Sequence, residues 1–193
     1  MQHVTRLCVY CGSAVGLDRR YRDAARELGD ALAKADIELI FGGGGIGLMG
    51  VLADAVLAGG GRVVGIIPDR LRSAELAHKG ASELVIAGSM HDRKRLMAER
   101  ADAFAVLPGG IGTLDETFEI LTWRQLGLHD KPIFLIDVAG YWQKLRDLLD
   151  HLVAQGFTTP LEPRLLTIVR DVAELMNTLV YTQPGGMPRS ELL

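Results

Sequence analysis

Apolar residues run through this chain in two rhythms. Short runs that are apolar at nearly every position read as strands buried on both faces; they cover residues 7–10, 37–41, 62–67, 84–87, 102–107, 132–137 and 166–169. Between most of them the period lengthens to that of a helix. Residues 18–35 place Ala24, Ala25, Leu28, Ala31, Leu32 and Ala35 on one face. Further helices are predicted over residues 48–58, 90–100, 113–128, 141–155 and 171–179. Ser89 is placed to cap the helix from residue 90, and Gly59-Gly60-Gly61 closes the one before it. Residues 69–83 follow neither rhythm and read as an exposed loop or short helix over the sheet.

Strands that alternate with helices and are apolar on both faces imply a doubly wound, Rossmann-like α/β fold: a parallel sheet with helices on both faces. One domain over residues 1–181 is expected, with a mobile tail over 182–193. In such folds ligands bind at the carboxyl ends of the strands. Three glycine-rich turns fall there, at residues 11–16, 42–50 and 108–112.

Composition narrows the function classes. A net charge of −3 over 193 residues lacks the basic excess of a general nucleic-acid binder. No apolar stretch approaches the roughly 18 residues of a membrane span, and the amino terminus has no signal-peptide layout, so a cytoplasmic protein is expected. Cys8 and Cys11 have the C-x-x-C spacing of a redox pair or half a zinc site. With no second ligand pair and Cys8 inside a strand, they read as two reduced thiols.

Gly45-Ile46-Gly47-Leu48-Met49-Gly50 fits a dinucleotide fingerprint, with Asp69 as the ribose ligand. It follows the second strand instead of the first, however, which favours a tight turn letting backbone approach a phosphate or a neighbouring loop. The turn Pro108-Gly109-Gly110-Ile111-Gly112-Thr113 leads from a strand into a helix, an arrangement that cradles anions. Glu116 lies just beyond. Thr113-x-x-Glu116 also fits a capping box, which would make Glu116 structural. Arg93-Lys94 sits early in its helix, where cations oppose the dipole. It is either a solvated basic face or a pair compensated by an anion. His91 and His129 are candidate proton carriers without partners at informative spacing, and Trp123 shares a helix face with Glu116 and Glu119.

Ser89-Met90-His91-Asp92-Arg93-Lys94, followed by Pro108-Gly109-Gly110-Ile111-Gly112-Thr113-Leu114-Asp115-Glu116, resembles the LONELY GUY (LOG) family, whose members are often mislabelled lysine decarboxylases. Cys11-Gly12-Ser13, the turn from Phe41 to Gly50 and Thr122-Trp123-Arg124-Gln125-Leu126-Gly127 extend the likeness over nearly the whole chain. The resemblance implies hydrolysis of the N-glycosidic bond of an adenine nucleoside 5′-monophosphate, such as a cytokinin riboside 5′-monophosphate or AMP. It implies catalytic roles for Arg93 and Glu116. It implies nucleotide contacts from Glu75, Lys94, Gly110, Ile111, Gly112, Thr113, Leu114, Asp115, Glu116 and Thr122. It further implies a homodimer with sites near the interface, and neither metal nor organic cofactor. Glu75 matches by spacing alone, so the choice between prenylated and plain adenine stays open.

The chemistry agrees with the residues. A carboxylate at Glu116 suits an oxocarbenium-like sugar or an attacking water. Arg93 suits a phosphate or the charge on a departing base. Gly110, Gly112 and Thr113 would hold the 5′-phosphate, with Ser13 and Gly44 as further donors. Two other readings compete: a nucleotide-binding or carrier module without turnover, and a pyridoxal-phosphate decarboxylase with Lys94 as its Schiff-base lysine.

Overall fold

A computed structural model describes residues 4–72 and 77–181. The chain alternates β1 (Arg6–Tyr10), α1 (Arg19–Lys34), β2 (Glu38–Phe41), α2 (Gly47–Ala58), β3 (Val63–Pro68), a single turn α3 (Asp69–Leu71), β4 (Glu83–Ala87) and α4 (Met90–Arg100). It continues with β5 (Ala103–Val106), α5 (Ile111–Gln125), β6 (Ile133–Ile136), α6 (Gln143–Ala154), β7 (Thr167–Val169) and α7 (Val172–Tyr181). Among the described residues these strands form one sheet, ordered β4-β3-β2-β1-β5-β6-β7. Every pairing is parallel. The doubly wound fold read from the apolar rhythm is therefore the observed one. Residues 182–193, expected as a mobile tail, lie outside the described residues.

Alternate residues of each strand feed two cores. Leu7, Val9, Leu39, Phe41, Ala103 and Ala105 face α1, α2 and α7. Cys8, Tyr10, Ile40, Phe104 and Val106 face α4, α5 and α6. This period of two, apolar on both sides, is what a sheet covered on both faces requires. The helix boundaries follow local chemistry. Asp18 caps α1 by accepting from the Arg20 N–H at 2.9 Å, and Ser89 caps α4 by accepting from the Asp92 N–H at 3.0 Å, as its position predicts. Gly29 lets α1 lie against α2, since a side chain there would meet the Ala55 methyl at 2.6 Å.

Strand order reverses between β1 and β5, so their following loops diverge to opposite sides and open a crevice at the carboxyl edge. The chain crosses the sheet once at long range, from the edge strand β4 through α4 to the interior strand β5, on the far side of β1. That crossing carries the start of α4 over the ends of β2 and β3 and brings it beside α5.

Candidate active site

The loops at the crevice are stitched to one another. The Gly12 N–H donates to the Pro108 carbonyl at 3.0 Å, and the Leu48 N–H donates to the Gly12 carbonyl at 3.0 Å. Gly47 has φ +64°, and any side chain there would overlap the backbone of Ser13. The residues of the G-x-G-x-x-G pattern are thus filled by the protein itself: Gly47 by Ser13, Gly45 by the backbone at Ala77 and His78, and Gly50 by the Gly45 carbonyl. Of the two readings of that pattern, close approach of a neighbouring loop is the one observed. Asp69, the candidate ribose ligand, pairs with Arg72 at 3.4 Å.

Beneath these loops, Arg93 and Glu116 form a buried ion pair. Nη1 of Arg93 lies 3.0 Å from Oε1 of Glu116, with the two residues only 7% and 8% exposed. The guanidinium is fixed from its other side as well. Nε donates to the Ile66 carbonyl at 3.1 Å and Nη2 to the Gly42 carbonyl at 3.5 Å. Gly42 admits it: a methyl at that position would overlap Nη2. The compensating anion that the placement of Arg93 calls for is therefore Glu116. Burial raises the pKa of Glu116 above the ordinary carboxylate value, and the neighbouring Arg93 charge opposes that rise.

Lys94 is equally buried, so the solvated basic face is not what forms. Its Nζ sits between Asp115, at 3.0 Å, and Glu119, at 3.2 Å. Burial alone would lower its pKa, but the bonds from Asp115 and Glu119 outweigh it and raise the value. A Schiff-base lysine needs the opposite, a depressed pKa and an unpaired amine.

The capping box does not form. Helix α5 begins at Ile111 with Gly110 as its extended N-cap residue, and no side chain caps it. Thr113 is already inside the helix and buried, with its carbonyl accepting from Thr117 Oγ1 at 2.6 Å. Glu116 is therefore too far along to reach the first N–H groups, and its carboxylate turns to Arg93 instead. Gly110, Ile111 and Gly112 are exposed at the mouth, as is Ser13. Gly44 is buried and bridged to Ala77. Leu114 packs into the second core. The Thr122 hydroxyl donates to the Phe118 carbonyl of its own helix at 2.7 Å. Glu75 lies outside the described residues.

Both ring nitrogens of His129 are occupied, Nε2 by the Ile120 carbonyl at 2.9 Å and Nδ1 by the Lys131 N–H at 3.2 Å. Burial lowers its pKa, so it is a neutral structural histidine. His91 is exposed, and Trp123 packs against the second core. Cys8 and Cys11 are free and buried, and burial pushes both thiols up. Among the described residues no three His, Cys, Asp or Glu side chains are grouped to hold a metal, and no helix is long and apolar enough to cross a membrane.

Two neighbours of the site have no signature in the sequence. His78 straps the second loop, its N–H donating to the Gly43 carbonyl at 2.8 Å and its Nε2 lying 3.1 Å from Asp54. Tyr141, beyond β6, donates its hydroxyl to the Gly109 carbonyl at 2.6 Å. Its only advance signal is its position, just past a strand at the carboxyl edge. A concavity of about 310 Å³ between α6 and β7, lined by Leu149, Leu161 and Leu166 among others, contains none of the site residues.

Comparison with known proteins follows the same lines. The family model described as "Possible lysine decarboxylase" matches residues 49–179. A probable cytokinin riboside 5′-monophosphate phosphoribohydrolase of Oryza sativa subsp. japonica is 47% identical, over 90% of this chain and 77% of that protein. A cytokinin riboside 5′-monophosphate phosphoribohydrolase of Arabidopsis thaliana is 44% identical, over 90% of this chain and 82% of that protein. Among solved structures, the molybdenum cofactor carrier protein of Chlamydomonas reinhardtii superposes with a TM-score of 0.69 at 18% identity, covering 93% of this chain and all of that one. At that identity the likeness is one of fold alone.

Proposed function

This chain belongs to the LONELY GUY family of cytokinin riboside 5′-monophosphate phosphoribohydrolases, and we propose that it hydrolyses adenine-type nucleoside 5′-monophosphates to free base and ribose 5-phosphate. The observation that carries the reading to this chain's own residues is the buried Arg93–Glu116 pair beside the glycine loop that opens α5. A buried ion pair is poor value as a stabilising device, because desolvation consumes most of the Coulomb gain. Its retention at the strand ends, under three glycine loops, suits a reaction.

In this reading the 5′-phosphate sits against the exposed amides of Gly110, Ile111 and Gly112, where the start of α5 presents unpaired N–H groups and a partial positive charge. The bond from C1′ to the base nitrogen breaks, its electron pair leaving with the base, and the sugar acquires oxocarbenium character. Glu116 faces that charge and takes a proton as water bonds to C1′, while the departing base gains a proton in return. Glu116 is suited to the role because burial raises its pKa and Arg93 keeps its carboxylate oriented. Arg93, tied to Ile66 and Gly42, acts through Glu116. Lys94 holds Asp115 and Glu119 at the next turn of α5 and reaches the nucleotide only through them.

The homodimer and the cytoplasmic setting belong to the same proposal. Met90, Phe118, Leu126 and Leu128 are exposed apolar side chains on or near α4 and α5, a surface that a second copy would cover. Two free, buried thiols suit a reducing compartment. The decarboxylase reading is disfavoured by Lys94, whose ammonium is held by two carboxylates.

Incubating the purified protein with AMP or isopentenyladenosine monophosphate and separating the products tests the reading. Free base and ribose 5-phosphate in equal amounts are expected. Saturable nucleotide binding with no base released would make the protein a carrier module instead.

A further inference from the structure

The turn after β6 is assembled from unfavourable parts. Ala139 adopts a left-handed conformation, φ 58° and ψ 28°, which an L side chain rarely takes. Gly140 follows with φ 72°. Trp142 is buried, and its indole N–H finds no acceptor among the described residues. The turn is held closed by Asp137, whose Oδ1 accepts from the Trp142 N–H at 2.8 Å. Backbone strain and an orphaned polar group in so short a stretch persist where something depends on the geometry they produce.

What the turn produces is the placement of Tyr141. The ring is braced edge-on by Tyr21, at 5.2 Å between centroids, and by Trp142, at 4.7 Å. Its hydroxyl donates to the Gly109 carbonyl at 2.6 Å. Gly109 precedes Gly110, the N-cap residue of α5, and the peptide joining them is trans. In a trans peptide the carbonyl and the N–H point in opposite directions. Holding the Gly109 oxygen on Tyr141 therefore fixes the direction of the Gly110 N–H. A peptide between two glycines has little else to hold it, since neither residue restricts its own dihedrals.

We propose that Tyr141 is a positioning residue for the nucleotide's phosphate: it locks the Gly109–Gly110 peptide so that the Gly110 amide faces the 5′-phosphate. This rests on the nucleotide reading of the site given above. Tyr141 acts through the loop and need not touch the substrate.

Tyr141→Phe tests it, because the ring and its contacts with Tyr21 and Trp142 remain and only the hydroxyl is lost. Ribose 5-phosphate binding, followed by calorimetry, is expected to weaken about tenfold, the order of one hydrogen bond's net contribution. KM for AMP is expected to rise by the same factor with kcat changed less than twofold and the melting temperature lowered by no more than about 2–4 °C. Unaltered ribose 5-phosphate affinity overturns the proposal. So does a fall in kcat and melting temperature with KM unchanged, which would make Tyr141 structural. The two readings separate cleanly. A wild-type protein that releases no base, yet binds ribose 5-phosphate about tenfold more tightly than Tyr141→Phe does, loses the hydrolase reading and keeps this one. Base release with the same KM in both proteins does the reverse.

Discussion

Replacing Arg93 with methionine removes one charge from a pair that is more than nine-tenths buried. The methionine fills much of the same volume, so the principal effect is electrostatic. Glu116 is left without its nearest cation, and the Ile66 carbonyl loses the donor that lies 3.1 Å away. Breaking a buried pair from one side costs about 3–5 kcal/mol, because the remaining charge is uncompensated. For a domain of this size each kcal/mol lowers the melting temperature by about 2–4 °C, so a fall of roughly 6–20 °C is expected at pH 8. The loss should shrink in acid. Arg93 opposes the raised pKa of Glu116, so its removal raises that value further. A carboxyl whose folded pKa exceeds its unfolded one stabilises the fold below the unfolded value and loses that contribution as pH rises through the folded value. Urea unfolding at pH 5.5 and pH 8 should therefore show the variant nearer to wild type at the lower pH. The double variant Arg93→Met with Glu116→Leu carries neither charge and should recover more than half of the loss. A single variant as stable as wild type at pH 8, or a double variant no more stable than the single, would refute the view that charge compensation governs this pair.

Three further outcomes follow from the same geometry. Gly42→Ala places a methyl on Arg93 Nη2, so the guanidinium must shift; the variant should fold, lose about 1–3 kcal/mol to overpacking and drop at least tenfold in kcat, measured by adenine release. The acid limb of kcat/KM for AMP should lie above the range of an ordinary glutamate, because burial raises the Glu116 pKa and activity needs the carboxylate; a limb at or below that range would assign the base to another group. Cys8 and Cys11 should resist a thiol reagent in the native protein and react once urea unfolds it, since both are buried with raised pKa values.

The alternation of apolar runs and amphipathic stretches was sufficient for the sheet and its helices, because each strand is covered on both faces and each element obeys its own period. The place of the three glycine turns at the carboxyl edge was legible for the same reason, since each follows a strand. What periodicity does not carry is how far the chain travels between elements. Arg93 and Glu116 meet only because α4 crosses from the edge strand β4 to β5, a consequence of strand order. The start of α5 was misplaced by a local rule: Thr113 and Glu116 have capping-box spacing, but Gly110 ends the loop in an extended conformation and the helix begins at Ile111. Tyr141 and His78 each donate to a glycine carbonyl far away in sequence, contacts that leave no pattern along the chain.

The central claim is that Glu116 performs chemistry in a site that binds a nucleoside monophosphate. Its most direct test is AMP turnover by wild type and Glu116→Gln, with binding and melting measured on the same samples. Glutamine keeps the shape and an oxygen for Arg93 Nη1, but it cannot take a proton from water. The variant is expected to fold and bind AMP, with a melting temperature lowered by no more than the roughly 6–20 °C of a buried pair broken from one side, while adenine release falls by about 10²-fold or more. Near-normal release from a folded Glu116→Gln protein would contradict it and reduce Glu116 to a partner for Arg93.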